Sequence, residues 1–486
     1  MNIRMVLRII GYILLVEAGL MLPGMLISVT LHETMALHGF LISLGIIIAT
    51  GVFLILITLK AKMGRFYARE GLVTTGLTWI IMSMLGCLPF YISGEIPSYV
   101  DCVFEMVSGF TTTGSSILTN VEGMSRGLLF WRSFSHWVGG MGVLVFLMAI
   151  VSLGGKNHGF TLHILRAESP GPAVGKMVPR MKQTAAILYW IYVGLTVLNI
   201  IFLLIGGMPV FDAFCTAFGT AGTGGFGVRN DSLAGYSPYL QNVTTVFMLL
   251  FSVNFSIYYL MILKKFKDVF RDEEFRLFWS IVFISIGLLV WNVRPLYDSL
   301  QEAVRHCAFT VGTLMSTTGF ATTDFDKWPA FSKAIILFLM VGGACAGSTG
   351  GGMKQVRFLL LWKTLRRNIH KSLHPSEVRS VQVNGRPIDE GILDNTMAYL
   401  IAYCLIVLIS VAVISLDGFS VETNLSAVLA TFNNIGPGLA QVGPTCNFSA
   451  YSDLSKIVMI ADMLAGRLEI FPILVLFSRS TWKRAR

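Results

Sequence analysis

The chain has 486 residues, of which 54% are hydrophobic and only 13% are charged. A soluble domain carries nearly twice that fraction of charged residues, so the composition excludes a soluble protein and indicates an integral membrane protein. The formal net charge is +10, but the basic residues cluster between apolar segments, which argues against nucleic-acid binding. The seven cysteines are scattered without a CxxC pair and the histidines do not cluster, so neither a disulfide framework nor a zinc site is predicted.

Two apolar segments come first, at about 6–30 and 37–59. Arg4 and Arg8 precede the first segment, as in a signal peptide, but no small-residue cleavage site follows. We therefore expect both segments to be membrane spans. Together with the basic stretch that follows them, they form an N-terminal unit, 1–70.

Four further units follow, each with an apolar span, a short loop and a second span. The first spans lie at about 71–93, 184–206, 277–293 and 396–416. The second spans lie at about 128–153 and 239–263, in a long segment from Phe331, and at 454–477. This gives about ten spans at roughly 20 residues each. The predicted unit boundaries are 71–183, 184–276, 277–393 and 394–486.

The loops between the paired spans resemble one another. They read FTTTGSS at 110–116, AGTGGFG at 221–227, MSTTGFA at 315–321 and NNIGPGL at 433–439. If Gly114, Gly224, Gly319 and Gly436 are equivalent, the spacings are 110, 95 and 117 residues. A phenylalanine then lies ten residues before the glycine in three loops, at Phe104, Phe214 and Phe309, and Ser426 takes that place in the fourth. Such a period indicates a fourfold internal repeat.

Glycine in these loops favours a pore. Without a Cβ, glycine lets carbonyl oxygens point where a side chain would block them. A ring of carbonyls can replace the water around a monovalent cation, and irregular backbone at membrane depth is tolerated where it lines a water-filled cavity. The simpler alternative is a set of glycine-rich turns at helix ends. The predicted selectivity filter comprises Thr112, Thr113, Gly114, Gly222, Thr223, Gly224, Thr317, Thr318, Gly319, Asn434, Ile435 and Gly436.

A short helix-compatible segment precedes each loop, with an acid near its start. These acids are Asp101, Asp212, Glu302 and Glu422. Negative charge stabilises a helix N-terminus, and the negative C-terminal ends would then point at the pore and favour a cation. Simple capping at a wet surface explains the acids as well.

The long segment from Phe331 to about Arg367 is interrupted by GGACAGSTGGGMK. Glycine costs about 1 kcal/mol relative to alanine inside a helix, so this helix should break, just below the third filter. A nucleotide-binding loop is a poor fit, because no GK[ST] sequence and no preceding strand is found. The break is either a flexible gate or a static unwound helix, and Lys354 marks its cytoplasmic edge. The gating candidates are Gly342, Gly343, Gly347, Ser348, Thr349, Gly350, Gly351, Gly352, Lys354 and Arg467.

Arg467 lies inside the last apolar span, in MLAGRLEIF. A charge at a helix centre costs about 2.5–3.5 kcal/mol on insertion scales and usually faces a cavity on an ion pathway. Glu469 is too close in sequence to share a helix face with it. A structural arginine satisfied by loop carbonyls is the alternative.

Lysine and arginine decide the orientation. The stretches 1–8, 60–69, 154–183, 264–276, 354–386 and 478–486 hold 28 of the 37 basic residues. With ten spans they all lie on one side, which the positive-inside rule identifies as the cytoplasm. Both termini are then cytoplasmic, and the four glycine loops open from the other side.

These motifs, taken in order over nearly the whole chain, resemble the Trk/Ktr/HKT superfamily of cation transporters. The likeness is specifically to the TrkH-like membrane subunit of bacterial Trk potassium uptake systems, whose two extra N-terminal spans are matched here. The resemblance implies an all-α polytopic membrane protein with a pseudo-fourfold pore of four helix–pore-loop–helix repeats. It also implies a bacterial cytoplasmic membrane location, potassium ions bound in the filter, and a pore restricted by the glycine-rich loop and Arg467.

The resemblance further implies partners. It predicts a homodimer surrounded by membrane lipids and a cytosolic TrkA-like ring of RCK domains that binds a nucleotide of the NAD, ATP or ADP class. No cofactor is expected in this chain itself. Relatives that favour sodium carry serine in place of the first filter glycine, so Gly114 points to potassium. The second and fourth filters depart from the TTG pattern, at Gly222–Thr223 and Asn434–Ile435.

Two other classes of protein fit the sequence less well. A proton- or sodium-coupled symporter would show an acidic or histidine relay inside the spans, and Glu17 and Asp462 are the only carboxylates placed well inside them. A membrane enzyme would need a nucleophile–base pair or a metal constellation, which the sequence does not offer.

Overall fold

The computed structural model describes residues 3–59, 68–140, 142, 181–377 and 379–482. Within these ranges the protein is an all-α polytopic membrane protein, as predicted. Its described β structure is a single short hairpin in which Gln382–Val383 pairs antiparallel with Arg386–Pro387.

The two N-terminal helices are Ile3–Thr30 and Thr34–Thr58, which confirms the first two predicted spans. They meet at a pair of glycines. A Cβ on Gly11 would lie 2.8 Å from the carbonyl oxygen of Gly51, and one on Gly51 would lie 3.0 Å from the carbonyl oxygen of Gly11. Small residues at this crossing therefore let the two backbones touch. Most of the basic stretch after the second helix, 60–67, lies outside the described residues.

The first helix of each unit is long and apolar. With the two N-terminal helices, these make six helices in the described residues that are long and apolar enough to cross a membrane. The predictions for these spans are confirmed. The four first helices are Ala68–Gly86 with its continuation Leu88–Ile92, Met181–Ile205, Glu273–Val293 and Glu390–Ile414.

A short pore helix follows each first helix. The pore helices have 12 to 16 residues, which is too few to cross a bilayer, so the chain enters and returns. Their acids lie in the first turn, as predicted, and each is within ion-pair distance of a basic group: Lys456, Arg229, His306 and Lys333 in chain order of the acids. The pore helices are Tyr99–Phe110, Val210–Gly222, Leu300–Met315 and Val421–Phe432.

The second helix of each unit is short. The four second helices are Arg126–Gly140, Pro238–Ser252, Ala330–Gly342 and Asp453–Arg467. The sequence predicted a break only in unit 3, but units 2 and 4 also break. In unit 2 the chain bends by 91° into Phe255–Ile262. In unit 4 it turns at Glu469 and Ile470, both with positive φ, and continues as Phe471–Phe477.

The break in unit 2 has no glycine, which is why composition did not reveal it. There Asn254 accepts a hydrogen bond from the N–H of Ser256 at 2.9 Å and so caps a new helix.

In unit 1 the helix ends at Gly140, and the remainder of the predicted span 128–153 and the link 154–183 lie largely outside the described residues.

The remaining described elements are short, apart from one amphipathic helix, Gln355–Leu373, which follows the break in unit 3. They are the helices Phe266–Arg271 and Arg479–Trp482 and the single turns Arg294–Leu296, Phe325–Lys327, Ser415–Asp417 and Ala440–Val442.

Candidate ion pathway

All four pore helices end in the same way. The first or second residue after each helix has a positive φ between 54° and 58°; these residues are Thr112, Thr223, Thr317 and Asn434. The N–H of the next residue donates to the carbonyl five positions earlier at 2.8–2.9 Å; these donors are Thr113, Gly224, Thr318 and Ile435. A left-handed residue with this hydrogen bond defines a Schellman motif. The chain therefore leaves each helix at an equivalent place and in an equivalent direction.

Three of the four left-handed residues are threonines, for which this conformation is unusual because their side chains branch at Cβ. Such backbone strain costs of order 1–3 kcal/mol per residue and is found where the surroundings enforce it, often at binding sites. Paired hydroxyls stabilise two of the turns. Thr111 Oγ1 lies 2.8 Å from Thr113 Oγ1, and Ser316 Oγ lies 2.5 Å from Thr318 Oγ1.

The second loop has a different register from the one predicted. The positive-φ glycine two residues beyond each left-handed residue is Gly114 (83°), Gly225 (72°), Gly319 (91°) and Gly436 (102°). Gly225, not Gly224, is therefore the equivalent glycine; Gly224 corresponds to Thr113, and Gly222 closes the helix.

Burial agrees with the corrected register. Cys215, ten residues before Gly225, is fully buried like Phe104 and Phe309, whereas Phe214 is 37% exposed. The sequence GTGGFG offers two adjacent glycines, so letters alone could not decide between them.

The four loops form a closed ring. Each of these glycines faces the carbonyl oxygen of the residue before the glycine in the next loop. A Cβ on Gly114 would overlap the oxygen of Gly224, one on Gly225 that of Thr318, and one on Gly319 that of Ile435; one on Gly436 would lie 3.0 Å from the oxygen of Thr113. The contacts run through units 1, 2, 3 and 4 and back to 1. Four equivalent carbonyls thus meet around one axis, which is an arrangement that can replace the hydration shell of a monovalent cation.

A buried ion pair holds the first loop. Glu105 on pore helix 1 and Arg132 on the second helix of unit 1 are 2.6 Å apart, and their side chains are 0% and 3% exposed. Arg132 also donates to Ser116 Oγ and to the carbonyl of Gly227 at 3.1 Å, and its guanidinium lies 3.5 Å from the centroid of the Phe226 ring. Because Gly227 and Phe226 belong to the second loop, one arginine joins two of the four loops.

His136 makes a second connection between these loops. The N–H of Phe226 donates to Nε2 at 3.3 Å, so Nδ1 carries the proton and donates to the carbonyl of Gly109 at 2.8 Å. Sequence reasoning missed Glu105, Arg132 and His136. The available signal was the presence of ionisable residues inside apolar segments, which is typical of functional or structural polar networks.

The fourth loop differs in its polar residue. Asn434 Nδ2 donates to Thr113 Oγ1 at 2.9 Å and to the carbonyl of Met463 at 3.0 Å. The asparagine therefore links the fourth filter turn to the first one and to its own second helix. Ile435 is completely buried.

The predicted break in unit 3 is present: the helix ends at Gly342 and resumes at Gln355. We call residues 343–354 the intramembrane loop. The N–H of Gly351 donates to Thr317 Oγ1 at 2.6 Å, and a Cβ on Gly351 would lie 2.5 Å from the carbonyl oxygen of Asn433. The loop therefore lies directly against the ends of pore helices 3 and 4.

The bend in unit 2 supplies backbone groups to this loop. At the bend, the carbonyl of Ser252 accepts from the N–H of Cys345 at 3.0 Å, and the N–H of Phe255 donates to the carbonyl of Gly347 at 3.1 Å. Thr349 Oγ1 donates to the carbonyl of Phe251 at 3.2 Å. Backbone groups that a continuous helix would have used internally thus fix the loop.

Arg467 contacts the loop through backbone carbonyls, which is the arrangement of the structural alternative. Its guanidinium donates to the carbonyl of Thr349 at 2.7 Å and to those of Gly139 and Gly140 at 2.5 and 2.8 Å. It therefore joins the loop to the end of the second helix of unit 1. Glu469 pairs instead with Arg357, which follows the loop.

Lys354 is the last residue before the helix resumes, at the edge of the break where the sequence placed it. It is 1% exposed, and its ammonium group donates to the carbonyl of Gly350 inside the loop. The neighbouring Gln355 spans the break, because its Nε2 donates to the carbonyl of Gly343 at 2.9 Å. Ser348 donates within the loop to Cys345 at 2.6 Å, while Gly343, Gly347 and Gly352 have positive φ of 68° to 74°.

One carboxylate oxygen accepts hydrogen bonds both from the loop and from the helix that follows it. Glu274 Oε1, in the first turn of the first helix of unit 3, accepts from the N–H of Ala346 at 2.7 Å and from that of Val356 at 3.1 Å. The preceding residue, Glu273, pairs with Lys363 and accepts from the N–H of Asn384 in the hairpin at 2.9 Å. Two adjacent acids therefore connect the loop and the hairpin to one helix start. Sequence reasoning missed this, because the cluster DEEF resembles an ordinary helix N-terminus.

The fold and the site together define a helical membrane protein with four re-entrant loops around one axis and a fifth irregular segment beneath them. Residues 40–484 match the family model of TrkH, described as a cation transport protein. The Trk system potassium uptake protein TrkH of Salmonella typhimurium is 35% identical over 99% of this chain and 100% of its own length. TrkG of Escherichia coli is 31% identical over 99% of both chains.

A solved structure agrees. The crystal structure of the potassium transporter TrkH from Vibrio parahaemolyticus superposes with a TM-score of 0.86 and 31% identity, covering 99% of this chain and 100% of that one. The chain belongs to the TrkH family of cation transport proteins, as its sequence motifs predicted.

Proposed function

We propose that this chain takes up potassium ions through a channel-like pore whose selectivity filter is the ring of four loops. The observation that carries the proposal is the closed cycle of glycine–carbonyl contacts between successive loops. Relatives of matching length are named potassium uptake proteins, which supports potassium as the ion. In the corrected register, the carbonyls of Thr113, Gly224, Thr318 and Ile435 form one layer of the ion site.

The intramembrane loop and Arg467 form the gate in this proposal. The loop lies against two pore-helix ends, and a fixed positive charge beside it opposes a cation in a low-dielectric region. Conduction then requires the loop to move. Its many glycines lower the backbone cost of such a movement. A static constriction is the competing interpretation.

We place the protein in the bacterial inner membrane with both termini in the cytoplasm. The basic residues outside the spans support this orientation. A homodimer and a cytosolic RCK-domain ring that binds a nucleotide complete the proposed system. The name "Trk system" carried by the relatives supports a multi-subunit assembly. Co-purification from native membranes should recover a soluble nucleotide-binding protein; a chain repeatedly purified alone, with flux indifferent to nucleotides, would count against it.

A proton-coupled symporter is the second candidate. The burial of Glu17 supports this candidate. Glu17 is 1% exposed, and its two carboxylate oxygens have no hydrogen-bond partner in the described part of the chain. Asp462, the other carboxylate that the sequence placed well inside a span, accepts from Ser410 Oγ at 2.8 Å.

The decisive experiment is rubidium or potassium flux into liposomes that contain the purified protein alone, with and without an imposed proton gradient. Passive conduction predicts flux that follows only the potassium gradient and the voltage. The symporter would be the better interpretation if the proton gradient drives potassium uphill and Glu17→Gln abolishes that movement.

A further inference from the structure

An apolar pocket lies beside the intramembrane loop. It has a volume of about 250 Å³ and lies between the first and second helices of unit 3 and the helix Gln355–Leu373. This is slightly below the 300–1,000 Å³ typical of small-molecule pockets, and a single narrow chain suits it. The lining residues that matter here are Leu277, Ile281, Phe338 and Trp362, with Gly342 and Gln355 at the inner end.

The pocket opens toward the bilayer. Phe338 and Trp362, at its edge, are 61% and 65% exposed. Phe283 and Ile284 on the same first helix of unit 3 are also more than 60% exposed. Large apolar side chains exposed on a membrane-spanning helix suit contact with acyl chains, so in a single copy of the chain this side of the pocket is open to lipid.

Charged groups lie at one end of the pocket. Leu277 and Ile281 are one and two turns beyond Glu273, which forms an ion pair with Lys363. Eight residues of helix span about 12 Å, which is within half of a hydrocarbon core about 30 Å thick. Arg276 precedes Leu277 and Arg366 lies one turn after Trp362, and both are exposed. This end therefore lies at the depth of the lipid headgroups and carries two exposed cations that an anionic headgroup can pair with.

The inner end of the pocket touches the gate. Gly342 is the last residue of the helix before the intramembrane loop, and Gln355 is the first residue after it. A molecule in the pocket would lie against both hinges of the loop.

We propose that this pocket binds one acyl chain of an anionic phospholipid, with the headgroup near Arg276 and Arg366 and the end of the chain against Gly342 and Gln355. The proposal that lipid binds depends only on the pocket and the charged groups at its end. The effect on the hinges rests on the proposed function, because it assumes that the loop gates the pore.

Lipid binding is tested by native mass spectrometry of the purified protein in detergent with added phosphatidylglycerol. The parent should retain phosphatidylglycerol in preference to phosphatidylcholine. Ile281→Trp fills the pocket and should reduce retention about tenfold, the change expected when about two methylenes lose their buried position. The matched control is Phe283→Trp, on the same helix outside the pocket, which should bind as the parent does. If Ile281→Trp does not fold, Leu277→Phe takes its place.

Removal of charge separates the headgroup from the chain. The double variant Arg276→Gln, Arg366→Gln should lose the preference for phosphatidylglycerol, while Arg294→Gln, at the other end of the helix, should keep it. Equal retention by the parent and the pocket-filling variant overturns the proposal, as does equal retention of the two lipids by the parent. Cross-linking of Trp362→Cys between two copies would overturn it in favour of a second copy of this chain.

The effect on the gate is measured as rubidium uptake in phosphatidylcholine vesicles with and without phosphatidylglycerol. The parent rate should depend on phosphatidylglycerol, and the Ile281→Trp rate should not. Lipid retention is measured without ion flux, so a failure of the proposed potassium uptake is distinguishable from a failure of the lipid site. A parent rate that is independent of lipid composition overturns the link to the hinges.

Discussion

The filter ring and the intramembrane loop are both irregular, glycine-rich backbone inside the membrane, but they are held in different ways. Each filter turn leaves its own pore helix through a hydrogen bond spanning five residues, and Arg132, His136 and Asn434 then join neighbouring turns. The loop is fixed mainly by groups from distant segments, namely Glu274, Thr317, Arg467 and the bend at Ser252. Locally closed hydrogen bonds suit a part that must keep its shape. Contacts donated from elsewhere can be exchanged, which suits a part that moves.

The buried pair that supports the filter gives the largest expected effect. Glu105→Ala leaves Arg132 charged and unpaired inside the protein, which costs about 3–5 kcal/mol. We expect a lower melting temperature in detergent and loss of flux. Glu377→Ala removes an exposed acid paired with His370 and serves as the control, with an unchanged melting temperature. A stable Glu105→Ala protein with parental flux would show that the filter does not depend on this support.

The next effect concerns selectivity. Gly114→Ser places a side chain against the carbonyl of Gly224, so potassium preference over sodium should fall by about tenfold or more, equivalent to about 1.4 kcal/mol. Rubidium uptake in competition with sodium measures the change. Gly94→Ser is a matched control, because Gly94 has a similar φ of 78° but no atom within 4 Å of an added Cβ. An unchanged preference in Gly114→Ser would remove the first loop from the filter.

The gate should open when its anchors are lost. Arg467→Ala removes three charge-assisted hydrogen bonds, each worth about 1.5–3 kcal/mol, so basal flux without the partner should rise about tenfold or more. Arg467→Lys keeps the charge with fewer donors, and separates electrostatic repulsion from anchoring. Deletion of 347–350 should raise basal flux in the same way. Folded variants that conduct no faster than the parent would place the gate elsewhere.

The smallest effect is expected at Glu274. Glu274→Gln keeps the shape of the side chain but weakens the acceptor for the N–H groups of Ala346 and Val356 by about 1 kcal/mol, so basal flux should rise about fivefold. Uptake in liposomes without the partner measures it. Glu273→Gln, which contacts the hairpin and not the loop, should leave basal flux unchanged. Equal rates in the two variants would mean that Glu274 does not hold the loop closed.

The sequence alone determined the number of units, six of the ten predicted spans, and two places of irregular backbone, namely the pore loops and the break in unit 3. These features depend on local physics: an apolar run of sufficient length spans a bilayer, and a cluster of glycines interrupts a helix. The repeat was visible because the same local requirement, a turn out of a pore helix, recurs four times.

The tertiary structure decided the rest. It selected Gly225 over Gly224, because Gly225 has the positive φ and faces the carbonyl of Thr318 in the next loop. It showed that Glu469 forms an ion pair with Arg357. It also showed that Arg467 donates hydrogen bonds to backbone carbonyls of units 1 and 3. It revealed breaks without glycine in units 2 and 4. For the filter register and for the partners of Glu469 and Arg467, the deciding contact lies far away along the chain, and a contact made only on folding leaves no local pattern in the sequence.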